Sequence, residues 1–240
     1  GPPTLYPGLR VRHRPLRPPF GTYVRSVRRP AAATGTVPPV DDRIASRPIG
    51  IVVNPRSGTD VRRSVAAAGS VTVEDKANVV RRVVRGAREA GARHFMVHHD
   101  SHSIIRRATE TMRDVELSWI DMDLTFTEED TVTAVAAMRV ADCAVVVVIG
   151  GDGTNRAAAR AWPDLPVVPL STGTNNAFSI MVEATVAGAA CGHLATGRCR
   201  LDDVARMAKV VRVTPRGADL PDDLALVDAQ MLGKNMLHHV

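Results

Sequence analysis

The chain has 240 residues, 45% of them apolar and only 3% aromatic, enough for one large folded unit with a core of Val, Ala, Leu and Ile, which excludes a wholly disordered chain. The net charge of +6 is localised: residues 1–48 hold nine arginines against two aspartates, +7, which leaves −1 for the remainder. The remainder shows no basic stripe interleaved with aromatics and no apolar run near the ~20 residues of a membrane span, so neither a nucleic-acid nor a membrane partner is expected.

Residues 1–48 carry ten prolines and no sustained apolar period, which predicts a disordered Pro/Arg-rich extension without the apolar stretch of a leader peptide. The three cysteines, Cys143, Cys191 and Cys199, have no metal-ligand spacing and an odd count, the usage of a reducing, cytoplasmic compartment. Ile49–Val53 is the first predicted strand, and Asn54-Pro55-Arg56-Ser57-Gly58 is the loop that leaves it. Apolar residues at spacings of three and four predict a helix over 75–90, with Gly91 as its stop. A strand over 94–98, a helix over 102–113, a strand over 117–120 and a helix over 128–139 follow. His98, His99, Asp100 and His102 fall on the loop leaving the 94–98 strand. Nothing else in the chain supplies a second ligand set, so solvated or structural histidines are expected there, and no resident metal site.

Residues 144–149 form an uninterrupted apolar run, the signature of a strand buried on both faces of a parallel sheet. The run stops at Gly150-Gly151-Asp152-Gly153-Thr154, and the alanines of 155–162 predict a helix. A strand, a glycine turn and a helix in that order make a crevice at the carboxyl end of an open sheet, where such sheets bind ligands. The glycines let the backbone approach phosphates, and the helix start offers free N–H groups. Asp152 is then the charged side chain projected into a phosphate-sized hollow. A strand over 166–170 leads into Ser171-Thr172-Gly173-Thr174-Asn175-Asn176 and a helix over roughly 175–190. The neutral amides suit ribose hydroxyls and phosphates, and a plain helix cap by Thr174 or Asn175 is the alternative use. Beyond Gly197, strands over 208–213 and 224–228 are expected to pair. The alternation of strands and helices predicts an α/β fold with a parallel, Rossmann-like sheet and helices on both faces.

Gly-Gly-Asp-Gly-Thr after a buried strand resembles the nucleotide-binding motif of the NAD kinase and diacylglycerol kinase superfamily. Together with Ser-Thr-Gly-Thr-Asn-Asn it looks like the acetoin-catabolism X branch of the ATP-NAD kinases, over residues 48 to about 230. The resemblance implies an α/β nucleotide-binding domain over 49–200 and a β-rich second domain of which 201–240 hold only the truncated start. It implies an ATP-dependent kinase working with Mg²⁺, which phosphorylates a hydroxyl of NAD or a related metabolite, as in NADP biosynthesis. Asp152 would be the catalytic residue, orienting the attacking hydroxyl or holding Mg²⁺. Asn54, Ser57, Gly58, Gly150, Gly151, Gly153, Thr154, Gly173, Thr174, Asn175 and Asn176 would bind nucleotide. The implied partners are small-molecule nucleotides, and a homo-oligomer is compatible with it.

One departure bears on the acceptor. True NAD kinases carry a Leu-Gly-Phe loop and a later Asn-Glu pair, and neither is found here. Gly173-Thr174-Asn175-Asn176 is nearer the Gly-Thr-x-Asn-Asp loop of lipid kinases. A lipid kinase and a non-catalytic nucleotide-binding protein linked to acetoin catabolism therefore stand as alternatives, and ATP or polyphosphate as donor.

Overall fold

The two continuous apolar runs lie side by side. Ile49–Val53 and Val145–Gly150 pair in parallel, with Ile49 opposite Val145 and Val53 opposite Ile149, and every residue of both is buried. The computed structural model describes residues 10–12, 46–57, 71–172, 176–214 and 222–227. In chain order the elements are β1 (Arg10–Arg12), β2 (Ile49–Val53), α1 (Val73–Glu89), β3 (His94–Val97), α2 (Ile104–Thr109), β4 (Glu116–Trp119) and α3 (Glu128–Val140), then β5 (Val145–Gly150), α4 (Asp152–Ala161), β6 (Val167–Ser171), α5 (Ala184–Ala195), α6 (Leu201–Val204), β7 (Val211–Thr214) and β8 (Asp223–Ala225).

Strands β2 to β6 form one parallel sheet in the order β4-β3-β2-β5-β6, the Rossmann-like α/β architecture that the apolar runs predict. Successive side chains of a strand point to opposite faces, and each face here is covered. Ile49, Ile51, Val53, Val145, Val147 and Ile149 pack in one core with residues of α1, α2 and α5. Val52, Val146 and Val148 pack on the other face with Ala134, Val135 and Met138 of α3 and Ala158 of α4. A small antiparallel sheet, in the order β1-β7-β8, follows the parallel one. The extension expected over 1–48 lies outside the described residues, apart from β1 and the segment 46–48. Among the described residues no helix is long and apolar enough to cross a membrane.

Local chemistry sets the helix starts. Thr72 and Asp75 form a capping box that opens α1, two residues earlier than its apolar spacing predicts. The Asp100 carboxylate accepts from the N–H groups of His102, Ile104 and Ile105, so α2 begins at Ile104 and is shorter than expected. Helix α4 starts at Asp152 itself, with Gly151 as its N-cap. The small sheet is tied to α4 by Arg156, whose Nε donates to the Leu224 carbonyl at 2.8 Å. The Arg156 guanidinium also pairs with Asp223 and Glu128.

Helices α1 and α5 meet backbone to backbone. A Cβ on Gly188 would lie 2.1 Å from the Val83 carbonyl oxygen, and one on Gly86 2.0 Å from that of Thr185. Gly188→Val is expected to destabilise the fold by about 2–3 kcal/mol, because overpacking against backbone outweighs the few tenths gained in helix propensity. A urea midpoint equal to that of the wild type would contradict this contact.

Candidate functional site

The sheet order reverses between β2 and β5. The chain leaves β2 for α1 in one helix layer and leaves β5 for α4 in the other, which opens a crevice at their carboxyl ends. A cavity of about 620 Å³ lies there. One wall is the turn into α4, with Gly151, Gly153 and Thr154. The second is the loop after β2, with Asn54 to Ser57, and the third is Thr172 and Asn176 beyond β6. The far wall comes from residues following β3 and β4, including His98, Asp100, Phe126 and Asp130.

Hydrogen bonds lock the three near walls together. Asn54 Nδ2 donates to Thr154 Oγ1 at 2.8 Å, Ser57 Oγ to the Asn54 carbonyl at 2.8 Å, and Thr172 Oγ1 to Ser57 Oγ at 2.8 Å. Asn176 Nδ2 donates to Ser171 Oγ at 2.7 Å. The glycines of the turn divide by role. A Cβ on Gly150 would strike Thr154 Oγ1 at 2.6 Å, and one on Gly151 would come within 3.0 Å of Asn176 Oδ1. A Cβ on Gly153 would meet nothing within 4 Å, so its freedom is used by the space outside. No side chain caps α4, and its first N–H groups therefore have no intrahelical acceptor.

Asp152 is held by the segment after β6. Its Oδ2 accepts from the Ala177 N–H at 2.7 Å. Its Oδ1 accepts from the N–H groups of Phe178 and Ser179, both at 3.0 Å, and from Ser179 Oγ at 3.3 Å. These bonds turn residues 177–179 away from helical geometry, and α5 begins only at Ala184 rather than near 175. Burial pushes the Asp152 carboxyl pKa up, but the Ala177, Ser179 and Phe178 bonds outweigh it and hold the group below the usual carboxylate range. The carboxylate is half-buried and, against the expectation that it projects into the hollow, does not line the cavity, whose wall here is the neighbouring Gly151, Gly153 and Thr154; the N–H groups of residues 177–179 draw it to the segment after β6 instead. A depressed carboxyl pKa stabilises the fold above the unfolded-state value near 3.8, and that contribution is lost as pH falls through the folded value. Asp152→Asn should thus melt below the wild type at pH 7, and the two melting curves should converge under strong acid. A gap that persists at the lowest pH would assign the loss to something other than the charge.

The predicted residues Asn54, Ser57, Gly151, Gly153, Thr154 and Asn176 come together on the cavity, while Gly150 does not line it and packs against Thr154. Gly58, Gly173, Thr174 and Asn175 lie outside the described residues. Arg56, Thr172 and His98 also line the cavity, and the sequence did not single them out as its walls. Each directly adjoins a residue or loop that it did flag. His98 is buried; its Nδ1 sits 2.7 Å from the His99 carbonyl, an acceptor only, so Nδ1 carries the hydrogen. Burial pushes its pKa down, and the ring is neutral. His99 stacks on Trp119 at 4.5 Å. The acids of the far wall serve the protein itself: Asp100 caps α2, Asp130 accepts from the N–H groups of Thr125 and Phe126, and Glu128 pairs with Arg156 and Arg160. Among the described residues no group of three or more His, Cys, Asp or Glu could hold a metal ion.

A parallel α/β sheet with an uncapped glycine turn opening onto a cavity at its switch point is an architecture that binds nucleotides. The chain belongs to the ATP-NAD kinase N-terminal domain family, whose model it matches over residues 49–198. It is 34% identical over 191 residues to the acetoin catabolism protein X of Cupriavidus necator, an alignment covering 75% of this chain and 53% of that protein. The chain thus spans about half the length of this relative. No solved structure matches it.

Proposed function

We propose that the chain is the nucleotide-binding part of an ATP-dependent small-molecule kinase that phosphorylates a hydroxyl of NAD or a related metabolite. The observation that carries this reading is Gly153: exposed, in the uncapped first turn of α4, with open cavity where its Cβ would stand. That hollow suits a phosphate, and a helix start supplies the donors and the field for one. The N–H groups of Gly153 and Thr154 would hold phosphate oxygens, with Asn54, Ser57 and Asn176 along the rest of the nucleotide. A magnesium ion arriving with the triphosphate would neutralise its charge.

Phosphoryl transfer needs positioning and charge neutralisation more than covalent help. Asp152 suits such a role. Each oxygen of an ionised carboxylate has about two acceptor positions; Oδ1 is filled by Phe178 and Ser179, whereas Oδ2 takes only the Ala177 N–H. Oδ2 keeps room for the hydroxyl of the acceptor. Its lowered pKa makes it a weak base, so it would orient that hydroxyl and receive the proton late in the transfer.

A second reading, nucleotide binding without turnover, is favoured by the same carboxylate. Three backbone N–H groups already occupy it. ATP consumption measured with NAD, NADH, diacylglycerol and no acceptor separates these readings. Consumption that requires NAD supports the proposal, consumption that requires lipid replaces it with a lipid kinase, and ATP binding without consumption leaves the binding module.

A further inference from the structure

Lys76 is among the largest fully buried side chains of the described residues, with 1% of its surface exposed. It sits in the first turns of α1, in a helix whose other cations are arginines. Its Nζ donates to the carbonyls of Asn54, at 3.1 Å, and Pro55, at 2.5 Å. Those two residues form the turn that walls the cavity after β2. The other ends of the same turn reach the remaining walls: Asn54 bonds Thr154, and Ser57 is bonded by Thr172. The ammonium therefore fixes from beneath the one loop that touches both the α4 turn and the segment after β6.

A buried ammonium is costly to desolvate, and an apolar side chain of similar volume generally serves packing as well or better. Core packing alone does not account for a cation here. We propose that Lys76 is a positioning residue for the cavity: it holds the Asn54–Ser57 turn in the geometry that receives the nucleotide. The inference rests on the nucleotide reading above and adds a residue to it. Asp100, on the loop after β3, is the acid whose charge acts on Lys76, and it favours the charged form. Burial acts in the opposite direction and is the larger effect, so the pKa is lowered to about 8. The amine thus remains largely protonated at neutral pH and placed behind the wall that faces the phosphates.

The test is calorimetric titration of ATP into the wild-type chain, Lys76→Met, Asn54→Ala and the double variant at pH 7, with thermal unfolding alongside. Lys76→Met is expected to weaken ATP binding at least tenfold while its unfolding midpoint stays within a few degrees of the wild type. The double variant should bind no more weakly than the poorer single one, because both changes release the same turn. Unchanged affinity in Lys76→Met overturns the proposal, as does a loss that multiplies with that of Asn54→Ala. Should Lys76→Met fail to fold, Lys76→Gln takes its place: its shorter, uncharged amide donates less well to the two carbonyls, so a smaller loss of ATP affinity is expected, and wild-type affinity in it overturns the proposal. Failure of the wild type to bind ATP would instead remove the nucleotide reading, and this inference with it.

Discussion

Asp152→Asn is expected to lower phosphoryl transfer on the order of 10²–10⁴-fold, the range that a positioned acid or base commonly supplies. The amide keeps one oxygen for the N–H groups of Phe178 and Ser179 but turns an NH₂ towards the Ala177 N–H, or the reverse. The first orientation is favoured, because it sets the NH₂ against one N–H group rather than two, and in it the vacant acceptor position on Oδ2 is lost, and with it the orientation of the attacking hydroxyl. ATP affinity should change by less than about tenfold, because removing a negative charge beside the phosphates offsets the slackening of residues 176–179. The measurement is initial rate at saturating ATP together with ATP affinity. A variant with near wild-type turnover would deny Asp152 its role, and one that also fails to bind would make it a structural anchor only.

Gly153→Val carries the second large effect, and it separates binding from stability. The side chain would stand in the open space above the turn, where a Cβ on Gly153 would meet nothing within 4 Å. It would exclude the phosphate from the N–H groups of that turn. Losing two charge-assisted hydrogen bonds, each worth about 1.5–3 kcal/mol, predicts at least a 100-fold loss of ATP affinity. The fold should not suffer, because Gly is among the poorest helix formers and Val is slightly better. The expected result is a melting temperature equal to or above the wild type with ATP binding abolished. Intact binding would place the phosphates elsewhere.

The features legible in the sequence are those with a one-dimensional signature. Val145–Ile149 and Ile49–Val53 read as doubly covered strands because both faces of the parallel sheet are packed, which leaves no polar alternation. Gly150 to Thr154 read as a ligand turn because glycine and a lone acid between a strand and a helix serve few other ends. The late start of α5 was not legible. The alanines and amides after Gly173 favour a helix, but the Asp152 carboxylate, 25 residues upstream of Ala177, takes the N–H groups of 177–179. Lys76 was hidden for a similar reason. A lysine among arginines on an amphipathic helix reads as solvated face, and only the fold brings it under the carbonyls of Asn54 and Pro55. His98 reads as one of a cluster of loop histidines, yet the end of β3 buries it with a settled tautomer. In each case a contact distant in sequence overrides local pattern.

Amide hydrogen exchange with and without ATP reads the backbone N–H groups at the start of α4, where the phosphates are proposed to sit. ATP should slow exchange across residues 151–155 and in the loop after β2, and leave β7 and β8 unchanged. Slowing confined to other segments, or none at saturating ATP, would contradict that placement.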